Sequence, residues 1–194
     1  MRSEEETELE RTISAHLAGG EVEAAVTEAL RGFGAPIFGY LLAVLHEEDA
    51  AAEVYAQAGE NIWKGIGGFK PGTSFRAWAY RVAWNAAMDH LRARRRRRET
   101  PLASGEQAEP AAPERSSTAS YLRTSVRDRI LALRRGLTPA EQTLLTLRVD
   151  RRFAFAEIAT VLDARSEAAL RKQFERVKVK LRRLAQAAGI VGAR

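Results

Sequence analysis

Residues 154–183 read AFAEIATVLDARSEAALRKQFERVKVKLRR, and two helices with a short break between them account for the stretch. Phe155, Ile158, Ala159 and Leu162 recur at helical spacing and give the first helix an apolar face. Asp163 to Arg165 break it, Ser166 caps a second helix, and Glu167 suits the positive N-terminal end of that helix. The second helix carries Leu170, Phe174, Val177, Leu181 and Leu184, whose steps of four and three residues make one apolar stripe. Its other faces hold Arg171, Lys172, Arg176, Lys178, Lys180, Arg182 and Arg183. A short helix, a tight turn and a basic amphipathic helix form the layout of a helix-turn-helix.

Such a pair can read duplex DNA. An α-helix fits the major groove, long cationic side chains reach phosphates, and Arg, Lys or Gln can read base edges. The N-terminal part of the second helix is the part that enters the groove. Glu167, Arg171, Lys172 and Gln173 are therefore the candidate base readers, Arg176, Lys178 and Lys180 the candidate phosphate contacts, and Ser166 at the cap a further DNA-binding candidate. The pattern is also met by a basic helix that packs on its domain with a solvated outer face, so it leaves that alternative open.

Upstream, the chain divides. Residues 99–120, ETPLASGEQAEPAAPERSSTAS, contain three prolines and almost no large apolar side chain. They cannot bury enough surface to offset their ordering entropy, which predicts a flexible linker between helical blocks at 1–98 and 121–194. In the second block, Thr138-Pro139-Ala140-Glu141 is a helix start, with Thr138 as cap, Pro139 in the first turn and Glu141 closing a capping box. In the first block, Val22, Val26, Ala29, Leu30 and Phe33 make one stripe. Ile37, Leu41, Val44 and Leu45 make a second, with Pro36 near its start. A further helix is predicted over 48–66 despite Gly59. With no run of strands and no repeat, the predicted fold class is all-α: two small helical domains, the C-terminal one containing the helix-turn-helix.

Residues 69–98, FKPGTSFRAWAYRVAWNAAMDHLRARRRRR, combine a capped turn, clustered aromatics and an arginine run. Arg81, Asn85, Asp89 and Arg92 fall on one helical face, while Phe75, Trp78, Ala79, Val82 and Ala86 share another. Six arginines crowd positions 92–98. Aromatics beside cations suit an opened nucleic-acid strand, because a base can stack while its backbone is neutralised. The same apolar spacing equally makes Trp78 and Phe75 core residues.

These residues carry a specific resemblance. The stretch from Phe69 through Pro71-Gly72-Thr73-Ser74-Phe75-Arg76, Trp78, Tyr80-Arg81-Val82-Ala83, Asn85, Asp89 and Leu91-Arg92 resembles region 2 of the extracytoplasmic-function sigma factors of bacterial RNA polymerase. Residues 17–45 resemble the opening of the same domain, and LTPAEQTLLTLRVDRRFAFAEIATVL with SEAALRKQFERVKVKLRRL resembles region 4. The likeness runs over about residues 10–98 and 121–186 in the family's order. It implies a subunit that binds core polymerase at the clamp of the largest subunit. Region 4 would read the −35 element as duplex, and region 2 the −10 element as it opens. By matching positions, Lys70, Thr73, Ser74, Phe75, Arg81, Asn85, Asp89 and Arg92 would lie near the opened strand. Glu53, Val54, Gln57, Asn61, Ile62 and Trp63 would meet the polymerase. An anti-sigma factor is a common partner in the family, and nothing in the sequence identifies one. Two departures stand out: residues 50–59, AAAEVYAQAG, are poor in acids, and the Asp163–Ser166 turn lacks the family's common glycine.

Composition sets the remaining bounds. The chain has 194 residues, a net charge of +6 and no cysteine, which excludes disulfide scaffolds, cysteine nucleophiles and cysteine-ligated metals. Charge is polarised: residues 1–60 hold 13 acids and 3 bases, and residues 61–98 hold 10 bases and one acid. That predicts an acidic face for a protein partner and basic faces for a polyanion. There is no phosphate-binding glycine loop and no metal-ligand cluster, and His16, His46 and His90 are scattered. The expectation is a non-enzymatic, cytoplasmic protein with no cofactor, no membrane association and no small-molecule substrate. Two alternatives stay open: a stand-alone helix-turn-helix regulator that binds duplex DNA without polymerase, and a helical interaction protein that binds no DNA.

Overall fold

The computed structural model describes residues 4–69, 73–99, 129–164 and 166–190; residues 100–120 of the predicted linker and Lys70 lie outside them. Every regular element among the described residues is helical. In the first block, α1 (Glu4–Ala18), α2 (Val22–Leu45), α3 (Glu48–Gly65), a single 3₁₀ turn (Ile66–Gly68) and α4 (Phe75–Glu99) succeed one another. In the second, residues 129–135 (α5) precede α6 (Pro139–Leu145), a wide π-type turn (Thr146–Asp150), α7 (Phe155–Leu162) and α8 (Glu167–Ala187).

Helix α2 is the centre of the first block. Its two predicted stripes belong to one continuous helix that runs through Pro36, not to two helices meeting there. Pro36 lacks an N–H and crowds the carbonyl four residues back, a local cost of about 3 kcal/mol. Burial of Phe33, Ile37, Tyr40, Leu41 and Val44 across that point offsets it. Leu30 points outward instead of joining the core. By length and composition α2 could also cross a membrane, but here it is the core helix against which α1, α3 and α4 pack. At Gly32, an added Cβ would lie 2.0 Å from the tip of the Leu9 side chain of α1, so any other residue there would push Leu9 aside.

The two blocks share one continuous apolar core. Tyr80 of α4 stacks edge-on against Phe153 at 5.0 Å and lies 5.3 Å from Tyr40 of α2. Burial pushes the Tyr80 hydroxyl up to about 12. Tyr40 is fully buried and meets Thr143 of α6 at 3.2 Å. Arg76, buried at 2% exposure, forms an ion pair of 2.6 Å with Glu6 of α1. Its other guanidinium nitrogen donates to the Arg151 carbonyl, and its charge sits 3.9 Å over the Phe153 ring. The loop that presents Phe153 needs its bend: Arg152 has φ 55, and the Phe153 N–H returns to the Leu147 carbonyl.

At the other end of the junction, His46 caps α2 in the left-handed region, and its Nε2 faces the amide nitrogen of Gln142. Burial, then the charge of Arg135, holds the His46 imidazole below its ordinary value of 6.5; Glu47, itself paired with Arg94, opposes this.

Phe153→Ala removes the ring shared by Arg76 and Tyr80 and should cost about 3–5 kcal/mol in urea unfolding. A second prediction concerns pH. Because the packed state depresses the His46 proton affinity, its stability should be fully present above pH 6.5 and fall as pH drops through and below that value. His46→Gln should flatten that pH dependence in unfolding curves taken on either side of it.

Candidate nucleic-acid interface

The second block builds its DNA-reading candidate from well-capped helices. Thr138 Oγ1 accepts from the Glu141 N–H, and Glu141 accepts from the Thr138 N–H, so the capping box is closed. Burial pushes the Glu141 carboxyl up, but hydrogen bonds from Lys180 and Thr138 outweigh it, and the group lies below the usual carboxylate range. Helix α7 ends on Asp163 at φ 51, so an aspartate fills the left-handed position where the family's glycine is missing. Ser166 Oγ accepts from the Ala169 N–H and starts α8. Leu170 and Val177 are buried, with Phe174, Leu181 and Leu184 half-buried behind them.

The outer surface of α8 presents Glu167, Arg171, Lys172 and Arg176 to solvent, with Gln173 half-buried. Arg171 pairs with Glu167 at 3.2 Å and lies 4.7 Å over the Phe155 ring. Phe155 also meets Phe174 edge-to-face and carries Arg148 on its ring at 4.8 Å. This aromatic platform beneath the cations is a role that reading Phe155 as an apolar core position misses. Lys178 pairs with Glu175 at 2.7 Å, and Lys180 is tied to Glu141 at 2.7 Å. Of the candidate phosphate contacts, Arg176 is therefore the most exposed.

In the first block, α4 brings Arg81, Asn85, Asp89 and Arg92 along one ridge. Asn85, Asp89 and Arg92 are exposed, and Arg92 pairs with Asp89 at 2.6 Å. Arg81 reaches across to Asp163 of the helix-turn-helix at 3.5 Å. Thr73 is exposed and Ser74 half-buried at the helix start. Phe75 does not join them: at 1% exposure it is locked among Phe33, Phe69 and Trp78, because its spacing places it on the core face of α4. The expectation that it lies at the strand is corrected accordingly.

On α3, Glu53, Gln57, Asn61 and Trp63 are exposed. Val54 and Ile62 are buried at 3% and 4%, so they support that surface from within and are corrected as direct contacts. Beside them, a groove of about 650 Å³ between α3 and α4 is lined by Glu53, Gln57, Asn61, His90, Arg94 and Arg97.

Residues 31–97 match the family model for sigma-70 region 2. That stretch is therefore a sigma-70 region 2. The RNA polymerase sigma-H factor of Pseudomonas aeruginosa is 29% identical over 136 residues, 65% of this chain and 68% of that protein. Two solved structures share the fold. CnrH, in complex with the cytosolic domain of CnrY, matches with a TM-score of 0.67 and 20% identity over 92% of this chain and 98% of that one. RpoE, in complex with the anti-sigma factor NepR from Bartonella quintana, matches at 0.63 and 16% identity over 82% and 95%.

The geometry of α8 depends on its cap. Ser166→Ala should lower the stability of the second block by about 1 kcal/mol in thermal unfolding, with Ser166→Asp close to wild type.

Proposed function

We propose that this chain is a sigma factor of the extracytoplasmic-function type, with core RNA polymerase and promoter DNA as its partners, and that it divides promoter recognition between its two blocks. Residues 1–98 form the region 2 module, which contacts core polymerase and the opened −10 element. Residues 121–194 form the region 4 module, which reads the −35 element as duplex. In the first, the Thr73–Ser74 corner and the ridge of Arg81, Asn85, Asp89 and Arg92 face the non-template strand. The arginines after position 92 hold its backbone. In the second, Glu167, Arg171, Lys172 and Gln173 read base edges, and Ser166, Arg176, Lys178 and Lys180 serve the surrounding phosphates. The exposed side chains of α3, namely Glu53, Gln57, Asn61 and Trp63, meet the polymerase clamp.

The observation that carries this reading is the pairing, on one chain, of a solvated polar ridge inside the sigma-70 region 2 match with a separate cationic helix on an aromatic platform. A regulator that only read duplex DNA would use the second surface and leave the first without a role. The protein acts by binding and positioning, with no catalytic step of its own, and works in the cytoplasm beside the polymerase. Because CnrH is seen with the cytosolic domain of CnrY and RpoE with an anti-sigma factor, we extend to this chain an anti-sigma partner that holds it inactive.

Purified core polymerase supplemented with this chain should initiate at discrete sites in a genomic run-off screen; absence of any start site would overturn the reading. At a promoter so found, Arg171→Ala should lose about 1–3 kcal/mol of upstream discrimination. Asn85→Ala should leave duplex binding upstream intact and impair opening, read by permanganate reactivity of unpaired thymines.

A further inference from the structure

Helix α1 is the most acidic of the described elements, and its carboxylates do not all face water. Leu9, Ile13 and Leu17 form its apolar seam, with Ile13 fully buried. Glu6 and Glu10 border that seam, each three residues before one of its members, Leu9 and Ile13, and both are half-buried, while Glu4, Glu5 and Glu8 are exposed. A carboxylate turned towards a core costs free energy unless it is paired there.

Both are paired with the start of α4. Glu10 Oε1 accepts from Ser74 Oγ at 2.8 Å and from the Arg76 N–H at 3.0 Å. Ser74 Oγ in turn accepts from the Ala77 N–H at 3.2 Å. The first N–H groups of α4, which have no partner within the helix, are thus satisfied by Ser74 and by a carboxylate more than 60 residues away in sequence. Glu6 holds the Arg76 side chain. Negative charge here also complements the helix dipole. Helix α1 is itself fixed, since Leu9 fills the space above Gly32.

We propose that Glu10 is a positioning residue for −10 recognition: it sets the rotation of α4 and the place of Ser74 at its start. The ridge of Arg81, Asn85 and Asp89 lies one to four turns beyond this anchor, so a turn of α4 about its axis moves every member together. Glu10 touches no nucleic acid; it acts through Ser74 and Arg76. The inference rests on the reading of that ridge as the −10 surface.

The test uses holoenzyme reconstituted from core polymerase and the full chain, on a library made from its strongest run-off promoter with the −10 bases randomised. Glu10→Ala should flatten −10 base preference about tenfold, the loss of a charge-assisted hydrogen-bond pair, with upstream preference and core binding unchanged. Glu10→Gln retains an acceptor oxygen and should restore the wild-type profile. If Glu10→Ala fails to fold by circular dichroism, Glu10→Asp gives the same readout, because its shorter side chain cannot reach both donors. An unchanged −10 profile in a folded variant, while Asn85→Ala alters it, overturns the positioning role alone. An unchanged profile in both overturns the −10 reading and the positioning role with it.

Discussion

A buried guanidinium organises this molecule. Arg76 is a full positive charge held out of water, and such a charge is tolerable only with its donors and its charge matched. The structure matches it from two directions. Glu6 supplies the counter-charge from α1, within the first block, while the Arg151 carbonyl and the Phe153 ring approach from the second. The residue therefore fastens α1 to α4 and both to the helix-turn-helix. Separating the blocks withdraws one set of partners and leaves the other, so the ion pair with Glu6 keeps the first block's charge balanced on its own. Arginine suits the task better than lysine, because a planar fork can meet a carboxylate, a carbonyl and an aromatic face together.

Much of this is legible in the sequence, for physical reasons that differ by residue. The α8 stripe and the caps at Thr138 and Ser166 depend on local spacing and side-chain chemistry, and the structure repeats them. The course of α2 is not legible, because Pro36 is a local stop signal and only tertiary burial of Ile37, Tyr40 and Leu41 overrides it. Family position puts Phe75, Val54 and Ile62 at surfaces, although their apolar character at helical spacing already argues for the core. Net charge conceals the roles of Glu6 and Glu10. Five acids among the first ten residues read as a solvated face, whereas their register with Leu9 and Ile13 sets two of them apart.

The same distinction governs the basic half of the molecule. Lys180, Lys178 and Arg81 belong to the cationic faces by sequence, yet each is engaged by a carboxylate. Exposed pairs of this kind are worth little, about 0–1 kcal/mol, so they leave the charge available to a phosphate that competes for it. Arg171 differs because the Phe155 ring beneath it fixes where its charge sits. Positioning by an apolar surface survives the exchange of one anion for another, as base reading requires.

Helix α4 carries the heaviest demand, since three surfaces must share one cylinder. Phe75, Ala79 and Ala86 face the first block's core, and Tyr80, Ala83 and Ala87 share the stripe that meets the second. Arg81, Asn85, Asp89 and Arg92 take what remains. The buried positions are dominated by alanine, which lets neighbouring helices approach closely on two sides and lends helix propensity where arginine repulsion would weaken it. Bulk is concentrated at Phe75 and Tyr80, within the first two turns. The rotation of the whole helix is accordingly decided near its N-terminus, where Ser74, Arg76 and the α1 carboxylates meet, and the polar ridge beyond inherits it.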